Sequence, residues 1–171
     1  MPGTDQTIDT QRVAAARLRS FPARLGKFVA LDRTRRALVI EASIRLAWAR
    51  LLLAVLPFRV IARGLGSFVP PRPETDDMAA DEAARNMARA IGWAVAAAAR
   101  HGLVGGVCLP QAIAARQMLK ARGIASVLYL GAAKSDAISR TEAHAWLRAA
   151  RIEVTGYPVA RTFKPVGCFV E

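Results

Sequence analysis

Two short stretches hold the residues best suited to chemistry. One is Val107-Cys108-Leu109-Pro110-Gln111-Ala112; the other, with its histidine 36 residues after the cysteine, is Ala143-His144-Ala145-Trp146. Cys108 follows Gly105-Gly106 and precedes a helical pattern with Pro110 early in it. Proline is tolerated there because the N–H it lacks would be unpaired in the first turn. Cys108 is therefore expected at or just before a helix N-terminus. Unpaired N–H groups and the positive end of the helix dipole favour an anion at that position, and the thiolate is the nucleophilic form of cysteine. The same N–H groups, that of Cys108 among them, could hold the oxyanion of a tetrahedral intermediate. His144 is the candidate general base. Spacing alone does not decide this, because a single cysteine is most often a packing residue and a strand histidine is often a half-buried side chain.

A catalytic imidazole needs its second ring nitrogen held. On a strand, His144, Trp146 and Arg148 share one face. A hairpin turn at Ala149-Ala150 would set His144 opposite Thr155, and a turn at Ala150-Arg151 would set it opposite Tyr157. The stretch Val154-Thr155-Gly156-Tyr157 offers no carboxylate. The candidates for the third role are the Thr155 hydroxyl, a main-chain carbonyl, and Asp136 folding back from the preceding loop. If Thr155 or a carbonyl does the holding, an Asp placed at Thr155 or Gly156 is expected to speed the reaction; if Asp136 does, it is expected to do little. Glu153 pairs toward Arg148 or Ala150, away from the imidazole. Gln111 either polarises a carbonyl or caps its helix, capping being slightly preferred. Trp146 either shields an ion pair or packs, and Cys168 reads as a buried thiol.

The elements that must position these residues follow from pattern and punctuation. Residues 1–10 read as a tail, and 12–29 as a basic amphipathic stretch broken by Pro22. Asp32 or Thr34 caps a dense apolar helix that stops at Pro57, followed by a helical turn or two over 58–64. Its apolar run, residues 46–58, is expected to be buried in the domain; Arg50 interrupts it, and a spanning helix needs about 20 apolar residues. Residues 67–74, with Pro70, Pro71 and Pro73, read as the main linker. Thr75 then caps a helix carrying Met78, Met87, Ile91 and Val95, which Gly92 bends or splits and which ends at Arg100-His101-Gly102. His101 reads as a charge partner for that helix end. The helix bearing the cysteine spans about 109–122 and stops at Gly123. Strands are expected at 125–130, 143–148, 151–155 and 166–170, with a polar loop over 131–141. The division is 1–30 as a basic tail, 31–66 as a helical region and 67–171 as the core domain.

Composition narrows the function classes. The 171 residues suffice for one domain with a real core. The net charge of +12 is uneven, with 12 Lys/Arg against 4 Asp/Glu in residues 1–66 and 13 against 9 in residues 67–171. Such a surface suits an acidic peptide, an acidic membrane face or nucleic acid, but there is no defensible nucleic-acid motif and no metal-ligand spacing. Cys108 and Cys168 form no disulfide framework, and the polar start reads as no signal peptide, so a cytoplasmic protein with reduced thiols and no integral membrane segment is expected. No Walker-type glycine loop is present.

The order of cysteine at a helix start, helix, strand and histidine on a strand is that of transglutaminase-like and papain-like folds. Cys108-Leu109-Pro110-Gln111-Ala112, Arg116-Gln117-Met118-Leu119, Arg122-Gly123-Ile124 and Ala143-His144-Ala145-Trp146 together resemble the leader peptidase of lasso-peptide biosynthesis, the B protein. The resemblance is good over about 93–169 and looser over 38–66. It implies an α+β fold, α/β in the broad sense, with N-terminal helices packed on a small antiparallel sheet. It implies a cysteine peptidase that removes the leader from a ribosomally made precursor, with Cys108 and His144 catalytic. It also implies ATP-linked action, a leader-binding protein that is here a separate chain, and a lasso cyclase as partner. Proteins of this family place an Asp on the strand after the histidine, and this chain does not. That departure keeps two other readings open: a binding or scaffold module of the same fold, and a cysteine acyltransferase.

Overall fold

The computed structural model describes residues 31–71, 80–101, 108–134 and 141–170. The chain forms two compact units, residues 1–36 and 37–171. In the first, the described residues are the approach to helix α1 (Arg33–Val55). Asp32 caps it, its Oδ1 accepting the Arg35 N–H at 2.8 Å, while Thr34 lies inside the helix. The basic stretch over 12–29 falls outside the described residues.

In the second unit α1 buries Leu38, Ala42, Leu46 and Ala49 at helical spacing. The expectation of a buried 46–58 run is corrected here. Trp48, Leu51, Val55, Leu56 and Phe58 are exposed, because a helix turns only one stripe of a dense apolar run toward its core. A short α2 (Phe58–Arg63) follows. The linker reading is also corrected at its start, where Ser67–Val69 is a strand, β1. It pairs antiparallel with the last strand, Ser67 opposite Val170 and Val69 opposite Cys168.

Thr75, Met78 and Asp136 lie outside the described residues. Helix α3 (Glu82–His101) is capped by Asp81, whose Oδ1 accepts the Ala84 N–H at 2.7 Å. It runs through Gly92 as one helix. Helix α4 (Cys108–Lys120) ends in a turn closed by Gly123 at φ +67°, the left-handed value that suits glycine.

Strands β2 (Ser126–Lys134), β3 (Thr141–Ala149), β4 (Ile152–Thr155) and β5 (Lys164–Val170) complete an antiparallel sheet in the order β1-β5-β2-β3-β4. β2 and β3 pair along their full lengths, from Ser126 opposite Ala149 to Lys134 opposite Thr141. They reach well into the stretch expected to be loop, since paired strands can carry alanine and glycine that propensity alone would not place there. The β3–β4 turn is Ala150-Arg151, both at positive φ (51° and 61°), not Ala149-Ala150. That matches a two-residue primed turn, whose twist suits a hairpin.

The sheet has one face toward the helices and one away. Leu128, Ala145, Leu147, Ala149 and Phe169 join the core formed with α1, α3 and α4. Val127, Tyr129, Trp146 and Cys168 form a second, smaller cluster. Arg116, buried in α4, donates through one guanidinium nitrogen to the carbonyls of Ser126 (2.8 Å) and Phe169 (3.1 Å), pinning α4 to β2 and β5. At the other end of α4, Arg122 grips Glu41 of α1 at 2.7 Å. Among the described residues, no helix is long and apolar enough to cross a membrane.

Candidate active site

Cys108 is the first residue of α4 and is half-buried, packed at the margin of the helix-side core. The first N–H groups of any α-helix have no partner within it, so the helix start at Cys108 offers donors to a bound oxyanion. Proline at position 110 is buried and ends no hydrogen-bond ladder there. Helix α4 packs against β2, β3 and β4. The alanines Ala112, Ala114 and Ala115 on α4 and Ala145 on β3 are all essentially buried, which allows that close packing.

His144 lies on β3 opposite Gly131. Its ring belongs to the face away from the helices. It stacks on Trp146 at 5.9 Å and lies 5.1 Å from the Phe163 ring, while Trp146 stacks on Tyr129 at 5.6 Å. A Cβ on Gly131 would lie 2.6 Å from Trp146 Cζ3, so the Trp146 ring can cross this strand only over glycine.

The imidazole is held by a main-chain group: His144 Nε2–H donates to the Gly156 carbonyl oxygen at 2.7 Å. A carbonyl only accepts, so this bond places the proton on Nε2 and leaves Nδ1 as the nitrogen able to take another. The Thr155 hydroxyl, one of the expected holders, does not do this. Thr155 is paired with Leu147 and buried, and its Oγ1 makes no hydrogen bond among the described residues. A register shift in the β3–β4 ladder between Leu147 and Arg148 moves Thr155 away from the histidine, and Glu153 pairs with Arg148. Gly156 has φ +83°, and a Cβ there would collide with the Ala145 carbonyl oxygen. An Asp at Gly156 is therefore sterically excluded, correcting the expectation that it would complete a triad.

Among the described residues no carboxylate bonds the ring, and two aromatic rings lie within about 6 Å of it. Trp146 and Phe163 thus wall the imidazole on two sides. Sequence reasoning missed Gly131, Gly156 and Phe163. The first two act through what they lack or through their backbone. Phe163 arrives from a turn 19 residues downstream of the histidine.

The thiol and the imidazole sit on elements that pack together. The structure does not join them directly: among the described residues no hydrogen bond links Cys108 Sγ to the His144 ring. The segments leading into them, 102–107 and 135–140, lie outside the described residues. Gln111 is half-buried in the first turn of α4, and Cys168 is fully buried, its thiol 3.7 Å from the Val69 carbonyl. No group of three or more His, Cys, Asp or Glu among the described residues could hold a metal ion.

No curated protein and no solved structure matches this chain. The family model described as the transglutaminase-like superfamily matches residues 52–168, from the end of α1 through Cys168 of β5. That span takes in both Cys108 and His144 and covers more than half of the chain, and the chain belongs to the transglutaminase-like superfamily.

Proposed function

We propose that this protein is a cysteine peptidase that removes the leader from a ribosomally made lasso-peptide precursor. What supports the reading is a thiol at a helix start, Cys108, in a transglutaminase-like chain that also holds an imidazole, His144, whose Nε2–H is fixed on the Gly156 carbonyl. In this mechanism Nδ1 of His144 takes the thiol proton and the thiolate attacks the scissile carbonyl. The N–H groups at the start of α4 hold the oxyanion. The imidazolium then returns its proton to the leaving amine, and the acyl thioester on Cys108 remains. Water, deprotonated by His144, hydrolyses the thioester and regenerates the thiol. Trp146 and Phe163 hold the plane of the ring. The superfamily membership and the motif resemblance support peptide-bond chemistry. The resemblance further supports ATP-linked action together with a separate leader-binding protein and a lasso cyclase.

The test is cleavage of a precursor peptide by purified protein, with the partners supplied. Cys108→Ala is expected to abolish cleavage while leaving the unfolding transition in place. His144→Ala is expected to slow it by about 10²–10⁴-fold. Cleavage retained in Cys108→Ala would end the peptidase reading. A second reading, a peptide-binding module of the same fold without hydrolysis, is favoured because, among the described residues, no carboxylate bonds the imidazole and no hydrogen bond joins it to the thiol. It predicts no cleavage by the wild type and no selective alkylation of Cys108 near neutral pH.

A further inference from the structure

The register of the sheet sets a cation beside the start of the cysteine's helix. On β3, Ala145, Leu147 and Ala149 face the helices, so by alternation Ala143 does too. Ala143 stands opposite Ala132 on β2, and Ala132 opposite Lys164 on β5. The three form a cross-strand row on the helix side. Phe163, the residue before Lys164, turns to the other side and meets the His144 ring. The helices leave this row open. Ala145 is 2% exposed, whereas Ala143 and Lys164 are exposed and Ala132 is half-buried. Helix α4 begins toward this end of the sheet. Arg116 reaches the carbonyl of Ser126, the first residue of β2. From there β2 advances toward Ala132, while α4 runs back eight residues, about 12 Å, to Cys108. Cys108 and Leu130 pack against the same core.

The protein itself leaves the charge of Lys164 unanswered. Among the described residues it makes no hydrogen bond and no ion pair. Helix α4 contains no acidic residue. Glu142 and Glu153 alternate to the His144 side of the sheet, Glu153 opposite Arg148. An exposed ammonium at the edge of an alanine floor is a point charge that selects an anion from whatever peptide crosses the floor. We propose that Lys164 is a specificity-determining residue, receiving a carboxylate of the peptide substrate while the scissile carbonyl lies at Cys108. This rests on the peptidase reading above and adds the class of substrate to it. Two strand spacings separate Ala143 from Lys164, about 10 Å, which an extended peptide covers in about three residues. The lysine side chain reaches back over part of that span. The carboxylate is therefore expected about two or three residues from the bond that is cut.

The probes are short peptides bearing a thiol-labelling electrophile, a chloromethyl ketone at the C-terminus in one series and a chloroacetyl group at the N-terminus in the other. Glu, Gln or Lys is placed in turn at each position near the electrophile. The rate of labelling at Cys108 is read by mass spectrometry on the full chain, so neither a partner protein nor hydrolysis is needed. In one of the two series, Glu at the second or third position is expected to label about two- to fivefold faster than Gln, and Lys more slowly than Gln. The spread is expected to narrow as salt rises. Lys164→Gln is expected to erase the preference and Lys164→Glu to reverse it, with thermal unfolding unchanged at this exposed position. Lys120→Gln, the same loss of charge at the far end of α4, is expected to leave the preference intact. A preference that survives Lys164→Gln, or that Lys120→Gln erases equally, overturns the proposal. So does a reactive Cys108 that labels at one rate with every peptide, or ATP slowing the labelling in the wild type but not in Lys164→Gln, which assigns the lysine to a nucleotide phosphate. A Cys108 inert to iodoacetamide ends the peptidase reading itself, and this inference with it.

Discussion

On the face of the sheet that meets the helices, Ala145, Leu147 and Ala149 pack with Ile113, Met118 and Leu119 in an aliphatic core rich in alanine. On the other face, Tyr129, Trp146 and His144 stack ring upon ring, and Phe163 closes against the histidine. The first face is a packing problem. Small side chains let α4, and with it Cys108, sit close to the strands. The second face is a positioning problem. Flat rings and glycines set the plane of one imidazole, and a main-chain carbonyl sets its proton. One strand, β3, serves both by alternation, so the imidazole and the support of the cysteine's helix are adjacent letters in the sequence.

That division can be broken from either side. The largest effect is expected on the aliphatic face. Leu147→Ala leaves a cavity in a fully buried site and should cost about 3–5 kcal/mol in denaturant unfolding. The imidazole's titration, followed by NMR, should stay unchanged in the folded variant. On the aromatic side, Gly156→Ala forces a side chain into a left-handed backbone and against the Ala145 carbonyl. It should cost about 2–4 kcal/mol and shift the proton away from Nε2 in the same spectra. Trp146→Phe keeps a ring but shrinks the stack, with about 1–2 kcal/mol lost in denaturant unfolding.

The smallest effect lies outside both faces, where Glu41 ties α1 to α4. The Arg122 guanidinium, bonded to Glu41, holds that carboxyl below its ordinary value despite partial burial, with Arg45 assisting. A carboxylate depressed in the folded state stabilises above its unfolded pKa, and the contribution is lost as pH falls through the folded value. Glu41→Gln should therefore cost less than about 1 kcal/mol at neutral pH, because the pair is partly solvated and screened. The two proteins should converge in stability once the pH falls below the usual carboxylate range. A difference that persists in acid would mean that packing, not charge, joins these helices.

The start of α4 at Cys108 was legible because glycine, proline and helical spacing are local signals. So were the strand around His144 and the pairing of Glu153 with Arg148, since both follow from alternation. The holder of the imidazole was legible only as a class. A carbonyl has no letter of its own, and the register shift that brings Gly156 rather than Thr155 to the ring depends on a ladder irregularity. Strand β1 was hidden because its partner lies about a hundred residues away, while the prolines after it gave the stronger local cue. The exposed stripe on α1 looked like core because a sequence cannot say which of two apolar stripes the rest of the chain covers.

The place of β5 in the sheet has a consequence in time. It is seated between β1 and β2, which makes it a neighbour of the earliest strand and of the one that follows the cysteine helix. Arg116, two turns along the helix from Cys108, reaches one of its two carbonyl partners only on β5. Such distant pairings are slow, because the chain closes a long loop before they return any stabilisation. The bond from the thiol's helix to the Phe169 carbonyl therefore forms only once β5 has joined the sheet.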